Sequence, residues 1–411
     1  DDKGIWEITA WNKKAKIEIS FSCPRDHMML FNYENPDGER KHNNLWNGHH
    51  ASGTVKLYRK SGDDYELIDT FKVRVDLTEV VEVAGLSGEA CIFRVKGFPA
   101  DCEVYIVDTP AGRSIACHPH IVGEELSRLC LEAAREAAKA IMELTDLREY
   151  SSEAIVFEHV LRAAPGYRLH EALRELGLGF REVWIRPRYV VPSYRDHDEL
   201  EEKSIRIVYE DFSNLPRREC LAVLKPDTEA SGRTGEISLK RLAEVAEEKN
   251  SAPEKLIVYG LISEPGLRRI HETAKSLGFE KTYFFAIGDL TALCHNQYDM
   301  PLYGPDESRY SELGELKLLG GITDYETFKR YVPEYIPGSD QPGDWSARQL
   351  TVFTGYDYEP GGIEKHLENS IALIEKLWNI SREQSWFMEF HEQAIKRELD
   401  LLREALRSYK R

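Results

Sequence analysis

The order of apolar and polar residues divides the chain into a β-rich first part, an alternating middle part and a helical last part. Before residue 112, short runs alternate in polarity or are rich in β-branched side chains, and turn sequences such as Asn35-Pro-Asp-Gly separate them. The last of these runs are 79–83, 90–95 and 102–107. A succession of short strands without a long helix predicts a separate antiparallel, sandwich-like β-domain over residues 1–112.

The middle part, residues 113–335, alternates between helix and strand patterns. It begins with an Ala- and Glu-rich segment, 122–147, whose apolar positions repeat at the helical period. The strand and helix pairs that follow are 154–159 with 167–176, 221–224 with 237–249, and 256–261 with 266–277. A further strand at 205–209 is expected at an edge of the sheet. This alternation predicts an α/β domain with a parallel sheet flanked by helices, whose loops after the strands meet at one edge.

The last part, residues 336–411, opens with a Pro- and Gly-rich stretch and continues with two helix patterns, Gly361–Trp378 and Ser381–Tyr409. An apolar stripe runs along both patterns. It predicts a helical extension whose apolar face packs against the rest of the chain or against a second copy.

Charge and cysteine content narrow the class of protein. The 411 residues include 54 Lys and Arg against 71 Asp and Glu, so the net charge is −17. This balance excludes a general nucleic-acid-binding surface but allows a local basic pocket. The seven cysteines form no CxxC pair, which favours a reducing, cytoplasmic location. The sequence contains neither a signal-peptide pattern nor an apolar run of about 18 residues, so no contact with a membrane is expected.

The segment Cys220–Thr234, CLAVLKPDTEASGRT, carries the strongest chemical signal. An apolar run is followed by a short polar loop of small residues, and then by a helix pattern. This order is typical of phosphate sites, because backbone N–H groups and the helix dipole both favour an anion at a helix start. Asp227 at the beginning of the loop suits a sugar phosphate, whose hydroxyls need an acceptor.

Two more loops are predicted at the same edge of the sheet. The sequence LRAAPGY at 161–167 combines small residues, which let backbone amides approach a ligand, with the charge of Arg162. The segment Asp299–Arg309 follows the last predicted strand, 281–286, and contains the turn sequence Gly-Pro-Asp. Each loop alone is a weak signal, but their order on one α/β unit is more specific.

Taken in order, these loops resemble those of the type I phosphoribosyltransferases, and most of all the uracil phosphoribosyltransferases, over roughly residues 118–312. LRAAPGY at 161–167 is similar to the family's Leu-Arg-Ala-Gly-Leu-Gly-Met, and PDTEASGRT at 226–234 to its Asp-Pro-Met-Leu-Ala-Thr-Gly-Gly-Ser. SEPG at 263–266 and QYDMPLYGPDESR at 297–309 resemble a family turn and its base loop. The resemblance implies the type I phosphoribosyltransferase fold. It also implies Mg²⁺-dependent transfer of the phosphoribosyl group of phosphoribosyl pyrophosphate (PRPP) to a nucleobase, uracil being the first expectation.

The resemblance also implies roles for individual residues. Asp227 would accept hydrogen bonds from the ribose and stabilise the positive charge that develops as pyrophosphate leaves, with Arg162 as the second catalytic residue. The PRPP 5-phosphate and ribose would be bound by Asp227, Glu229, Ala230, Ser231, Gly232, Arg233 and Thr234. Pyrophosphate would be bound by Arg162, Ala163, Ala164, Gly166 and Arg181. The base would be bound by Asp299, Met300, Tyr303, Gly304 and Asp306.

The family further implies that Mg²⁺ is held mainly by PRPP and water rather than by protein side chains, and that the chain forms a homodimer. The chain departs from the family pattern at several positions, among them Ala164 and Glu307 in place of glycines. Pro226 stands in place of the leading Asp, Arg233 in place of the second Gly, and Pro305 in place of the base-loop Asp. These departures motivate an alternative from another class, a non-catalytic protein that senses a nucleotide or PRPP. A two-domain enzyme for an unusual acceptor is a third interpretation.

Two other polar segments have simpler interpretations. Cys117-His-Pro-His120, just before the first long helix pattern, suggests a metal site, but a helix-entry turn is preferred because only one such cluster is visible. The charged run Glu199–Lys203 is interpreted as a solvated loop, or else as part of a flap over the site.

Overall fold

The computed structural model describes residues 5–11, 15–22, 32–34, 41–43, 51–61, 64–75, 78–189, 205–320, 330–331, 333–340, 343–384, 387 and 389–410. The predicted flap at Glu199–Lys203 lies outside these ranges. The first strands are β1 (Ile5–Trp11), β2 (Ala15–Ser22), β3 (Asn32–Glu34), β4 (Lys41–Asn43), β5 (Ala51–Ser61) and β6 (Asp64–Val75). Strands β1, β2, β5 and β6 form an antiparallel sheet in that order, and β3 pairs with β4.

A nine-stranded sheet forms the centre of the described structure. Its strands are β7 (Thr78–Val81), β8 (Cys91–Val95), β9 (Cys102–Asp108), β10 (Ile155–Val160), β11 (Arg181–Tyr189), β12 (Ile205–Asp211), β13 (Cys220–Pro226), β14 (Ala252–Ser263) and β15 (Lys281–Thr291). Their spatial order is β12-β11-β10-β13-β14-β15-β9-β8-β7. The strands from β11 to β9 are parallel, whereas β12 at one edge and β8 and β7 at the other are antiparallel to their neighbours. The predicted α/β class and the predicted edge strand at 205–209 are therefore confirmed.

The strands of residues 78–108 correct one part of the sequence-based picture. They were expected to belong to a separate sandwich over residues 1–112, but β9 pairs in parallel with β15 and brings β8 and β7 into the large sheet. The reason lies in the burial of β9, whose residues are nearly all covered. A strand buried on both faces is suited to the inside of a sheet that carries helices on both sides.

Helices cover both faces of the sheet. They are α1 (Pro110–Cys117), α2 (Gly123–Leu144), α3 (Leu169–Glu175), α4 (Arg233–Glu248) and α5 (Glu264–Ser276). Alternate strand residues point to opposite faces. Thus Ile155 and Phe157 join the apolar core beneath α2, whereas Val156 joins the core beneath α4 and α5.

The last part of the chain adds short strands and two long helices. The elements are β16 (Tyr303–Pro305), α6 (Glu307–Leu313), β17 (Leu318–Gly320), β18 (Thr351–Phe353), β19 (Tyr358–Pro360), α7 (Ile363–Ser381) and α8 (Glu389–Tyr409). The predicted stripe is buried where α7 packs on α8, with Leu377 and Leu402 among its fully buried members. Among the described helices, none has the length and apolar character needed to cross a membrane.

Candidate functional site

Three loops leave the carboxyl ends of neighbouring parallel strands and form one edge, here called the carboxyl edge. The arginine loop (161–167) follows β10, the phosphate loop (227–232) follows β13, and the turn at Ser263 leads from β14 into α5. Strand β13 lies between β10 and β14 in the sheet, which brings these loops together. Ligands of open α/β sheets bind at this edge.

The phosphate loop ends at the start of helix α4. Gly232 is the residue before the helix and has a φ of 73°, a conformation that favours glycine. The loop is held on the start of α5, because the Ser263 hydroxyl donates to the Ala230 carbonyl and a Cβ on Gly266 would lie 2.5 Å from the same oxygen. The first N–H groups of a helix have no partner within the helix, so this end of α4 can bind an anion. The predicted phosphate residues Ser231, Arg233 and Thr234 are at least partly exposed there.

Asp227, the predicted catalytic carboxylate, is held in a defined position. Its Oδ2 lies 2.7 Å from the Nζ of Lys225, and its Oδ1 accepts a 2.8 Å hydrogen bond from the Thr228 N–H. The same Lys225 Nζ lies 2.5 Å from Oε1 of Glu229. Lys225 is fully buried. Burial alone lowers the pKa of Lys225, but the carboxylates of Asp227 and Glu229 outweigh burial, so the pKa lies above its ordinary value.

Glu229 corrects a second expectation. It was assigned to bind PRPP, but its side chain is buried against Gly235. A Cβ on Gly235 would lie 2.3 Å from Oε1 of Glu229. The chain stays extended beside β14, since the N–H groups of Asp227 and Glu229 donate to the carbonyls of Tyr259 and Leu261. Alternate residues of an extended chain share a face. Glu229 therefore points in the same direction as Lys225, beneath helix α4.

Glu158 of strand β10 adds a third carboxyl group to this buried cluster. It lies in the middle of the apolar run IVFEHV and has no exposed surface. Burial raises the pKa of Glu158 to about 7; the carboxylates of Asp227 and Glu229 act in the same direction, and Lys225 opposes them. Sequence analysis missed Glu158 and Lys225 as site residues. A charged residue inside an apolar strand was the available signal.

The arginine loop is joined to the phosphate loop by Tyr167. Its hydroxyl lies 2.5 Å from the Thr228 hydroxyl, and its ring stacks on Trp345 at a centroid distance of 4.6 Å. Gln349 donates to the Ala163 carbonyl at 3.1 Å and covers Gly166. Residues 345–349, which sequence analysis placed in the helical extension, therefore form part of the site.

Arg162 is the charged group of the arginine loop that faces solvent. Its side chain is 39% exposed, and its Nη1 lies 3.5 Å from Oε2 of Glu359. Arg186 on the neighbouring strand β11 donates to the Thr354 carbonyl at 3.0 Å. Burial and the positive charge of Arg162 lower the pKa of Arg186, so the two guanidinium groups form one positive region that sequence analysis did not foresee.

Arg181 does not belong to this site, which corrects the pyrophosphate assignment. It is the first residue of β11 and lies opposite Val156, near the amino end of the parallel strand β10. It forms an ion pair with Glu153. The arginine loop leaves the other end of β10, so Arg181 and Arg162 lie at opposite edges of the sheet.

Four of the five residues predicted to bind the base, in the base loop (297–309), have structural roles. Met300 and Tyr303 are buried, and Gly304 lies so close to residues 337–338 that a Cβ would meet the Gly338 nitrogen at 2.1 Å. Asp306 is the N-cap of α6, where it accepts a 3.0 Å hydrogen bond from Arg309 N–H. The base assignment is therefore corrected, because residues 335–340 contact Met300, Tyr303 and Gly304, and the Asp306 carboxylate is used as a helix cap.

Asp299 is the predicted base residue that faces open space. It lines a cavity of about 650 Å³ between the base loop, α6 and α7. Other residues of this cavity are Asn296, Ser308, Asp340, Asp344, His366, Asn369 and Lys376. Acidic side chains outnumber the one lysine in its lining, and the space is large enough to hold a small molecule.

Comparisons with known proteins give low similarity. No protein-family model and no curated protein matches the chain. The protein AQ2163 of Aquifex aeolicus is similar over 47% of this chain and 91% of its own, with 19% identity and a TM-score of 0.34. The hypoxanthine-guanine phosphoribosyltransferase of L. donovani is similar over 41% of this chain and 81% of its own, with 14% identity and a TM-score of 0.25. The adenine phosphoribosyltransferase of Trypanosoma brucei, in complex with AMP, pyrophosphate and ribose-5-phosphate, is similar over 47% of this chain and 85% of its own. It has 11% identity and a TM-score of 0.30.

Proposed function

We propose that this chain is a phosphoribosyltransferase that binds PRPP at the carboxyl edge and transfers its phosphoribosyl group to a nitrogenous acceptor. The observation that carries the proposal is the position of Asp227 at the start of the phosphate loop, which leads from β13 to the N-terminus of α4. This arrangement offers N–H groups to a 5-phosphate and a carboxylate to a ribose within one loop. The Tyr167–Thr228 contact holds the arginine loop, the proposed pyrophosphate site, next to it.

The proposed transfer breaks one bond at ribose C1 and forms another. The bond between ribose C1 and the pyrophosphate oxygen breaks with its electron pair on that oxygen, and a bond from C1 to the acceptor nitrogen forms while that nitrogen loses a proton. Asp227 would stabilise the positive charge that develops on the ribose, and Arg162 would stabilise the leaving pyrophosphate. Lys225 would fix the orientation of the Asp227 carboxylate through its 2.7 Å contact.

The residues present fit a Mg²⁺ ion that arrives with PRPP. The Asp227 carboxylate and the Ser231 and Thr234 hydroxyls are oxygen donors, which Mg²⁺ prefers. Asp227 is the side chain that would hold the ion on the protein side. When bound, Mg²⁺ neutralises charge on the pyrophosphate group.

The test is a screen of nucleobases, with uracil first, in the presence of PRPP and Mg²⁺ and with pyrophosphate release as the readout. Asp227→Asn is expected to lower kcat by about 100-fold or more, as removal of one electrostatic group in an active site does. Asp400→Asn, on the exposed surface of α8, is the matched control and should keep full activity. Pyrophosphate release by none of the acceptors, together with no PRPP binding in calorimetry, would exclude the proposal.

A second candidate is a protein that binds PRPP or a nucleotide without turnover. The observation that favours it is the burial of Met300, Tyr303 and Gly304, which leaves the base loop without the open backbone that a nucleobase would contact. Calorimetry separates the two candidates: PRPP binding without pyrophosphate release from any acceptor supports the sensor. Release with any acceptor supports the enzyme.

A further inference from the structure

The turn between α1 and α2 and the buried face of α8 bring together two histidines and a glutamate. Nδ1 of His118 lies 3.0 Å from Oε2 of Glu398, and Nδ1 of His120 lies 2.7 Å from Oε1 of the same carboxylate. One ligand atom from each of the three residues lies within 4.8 Å of the others. Oε2 of Glu334 lies 3.3 Å from Nε2 of His118, on the other side of that ring.

The chemistry of this group matches a metal site better than it matches a packing contact. Glu398 is 2% exposed, and a buried carboxylate requires a positive partner. No Lys or Arg forms an ion pair with Glu398 in the described part of the chain. Its hydrogen-bond partners are the two imidazoles and the His120 N–H, and Arg348 acts on it electrostatically from farther away. Two imidazoles and one carboxylate form a common ligand set of zinc.

The distances also suit a cation. Zinc lies about 2.0–2.2 Å from nitrogen and carboxylate oxygen, so tetrahedral ligands lie about 3.4 Å apart. Nδ1 of His118 and Nδ1 of His120 each lie 2.7–3.0 Å from one oxygen of the Glu398 carboxylate, and one ligand atom from each residue lies within 4.8 Å of the others. An ion between them would require each of these contacts to lengthen to about 3.4 Å.

We propose that His118, His120 and Glu398 bind a divalent cation of the zinc class, with water at the remaining position and Glu334 as the partner of His118 Nε2. The bound ion fastens helix α8 to the turn before α2. Arg348 donates to the carbonyl of His118 at 3.2 Å. It lies three residues after Trp345, whose ring stacks on Tyr167. The metal therefore stabilises the region that supports the arginine loop, and it takes no part in group transfer.

The test measures metal content and binding in the full chain. Protein purified without chelator is analysed for bound metal, and chelator-treated protein is titrated with Zn²⁺ alone. We expect one equivalent of zinc per chain and a thermal midpoint that rises with Zn²⁺. Co²⁺ in the same site should give the visible absorption of a tetrahedral complex.

Two variants and one control make the result specific. Glu398→Gln and His120→Ala should each weaken Zn²⁺ binding by more than the 10–100-fold that loss of an outer partner costs. The His120 side chain is 21% exposed, so His120→Ala should fold even where the buried Glu398→Gln does not. His295→Ala, which removes an exposed pair with Glu312, should bind zinc as the parent does. Absence of retained metal and of Zn²⁺ binding in the parent, or equal binding in His120→Ala, would overturn the proposal while leaving the proposed transferase activity untouched.

Discussion

The hydroxyls of Tyr167 and Thr228 lie 2.5 Å apart and join the arginine loop to the phosphate loop. The Leu261 N–H also donates to the Tyr167 hydroxyl, at 3.4 Å. Both loops must keep one relative position if they bind the two ends of the same ligand. This contact provides that constraint from within the protein, because the Tyr167 side chain is buried.

The first prediction concerns this contact. Tyr167→Phe should lower the free energy of unfolding by about 1 kcal/mol, the usual net value of a buried hydrogen bond, and should weaken PRPP binding. Denaturant unfolding and calorimetry measure the two effects. Tyr259→Phe is the control, because the described part of the chain offers no hydrogen-bond partner to the buried Tyr259 hydroxyl. Equal losses in both variants would contradict the linking role of Tyr167.

The second prediction concerns the buried ammonium group of Lys225. Lys225→Met should lower the free energy of unfolding by about 3–5 kcal/mol, because Asp227 and Glu229 lose their shared positive partner. Adding Glu229→Gln to this variant should restore part of the loss, since one fewer buried charge remains. Lys240→Met, which breaks an exposed pair with Glu236, should cost less than about 1 kcal/mol. If the Lys225→Met variant is as stable as the Lys240→Met variant, Asp227 and Glu229 do not depend on the positive charge of Lys225.

The third prediction concerns pH. The pKa of Glu158 is about 7 in the folded chain, against 4.5 for an ordinary glutamate, so the folded state binds more protons between these values. The stability contributed by protonated Glu158 is complete below pH 4.5 and is lost as the pH rises through 7. The loss amounts to about 3 kcal/mol. Urea unfolding at pH 5 and pH 8 measures it.

The matching variant for this test is Glu158→Gln, which stays neutral at every pH. It should remove most of the difference in stability between pH 5 and pH 8, whereas Glu404→Gln on the exposed face of α8 should leave the difference unchanged. An unaltered pH dependence in Glu158→Gln would mean that Glu158 does not titrate in this range.

The fourth prediction compares two arginines that sequence analysis assigned to the same pyrophosphate site. Arg162→Ala should weaken PRPP binding by about 10–100-fold, because a hydrogen bond to a charged group contributes about 1.5–3 kcal/mol. Arg181→Ala should leave PRPP binding unchanged, since Arg181 lies at the opposite edge of the sheet and pairs with Glu153. Calorimetry with PRPP measures both variants. Equal weakening in both would place the ligand elsewhere.

Local patterns in the sequence predicted much of the central domain. The apolar run before the phosphate loop, the small residues within it and the amphipathic pattern behind it correspond to β13, the loop and α4. These features act within a few residues, through backbone conformation and the period of side-chain burial. The same reasoning placed the edge strand β12 correctly. The prediction was wrong for β9, because β9 pairs with β15, a strand that is distant in the sequence, and local patterns do not show such pairing.

Local sequence patterns predicted the order of strand, loop and helix, and the resemblance of the loops pointed to Asp227 and Arg162 as groups suited to PRPP. Which side chains meet depends on the tertiary fold. The extended chain after β13 turns Glu229 towards Lys225, and the register of β11 places Arg181 at the edge opposite the arginine loop. The fold also brings Glu398 to His118, although 280 positions separate them along the chain. Secondary structure arises from neighbouring residues, whereas a site depends on contacts between distant ones, and these are created by packing of the whole domain.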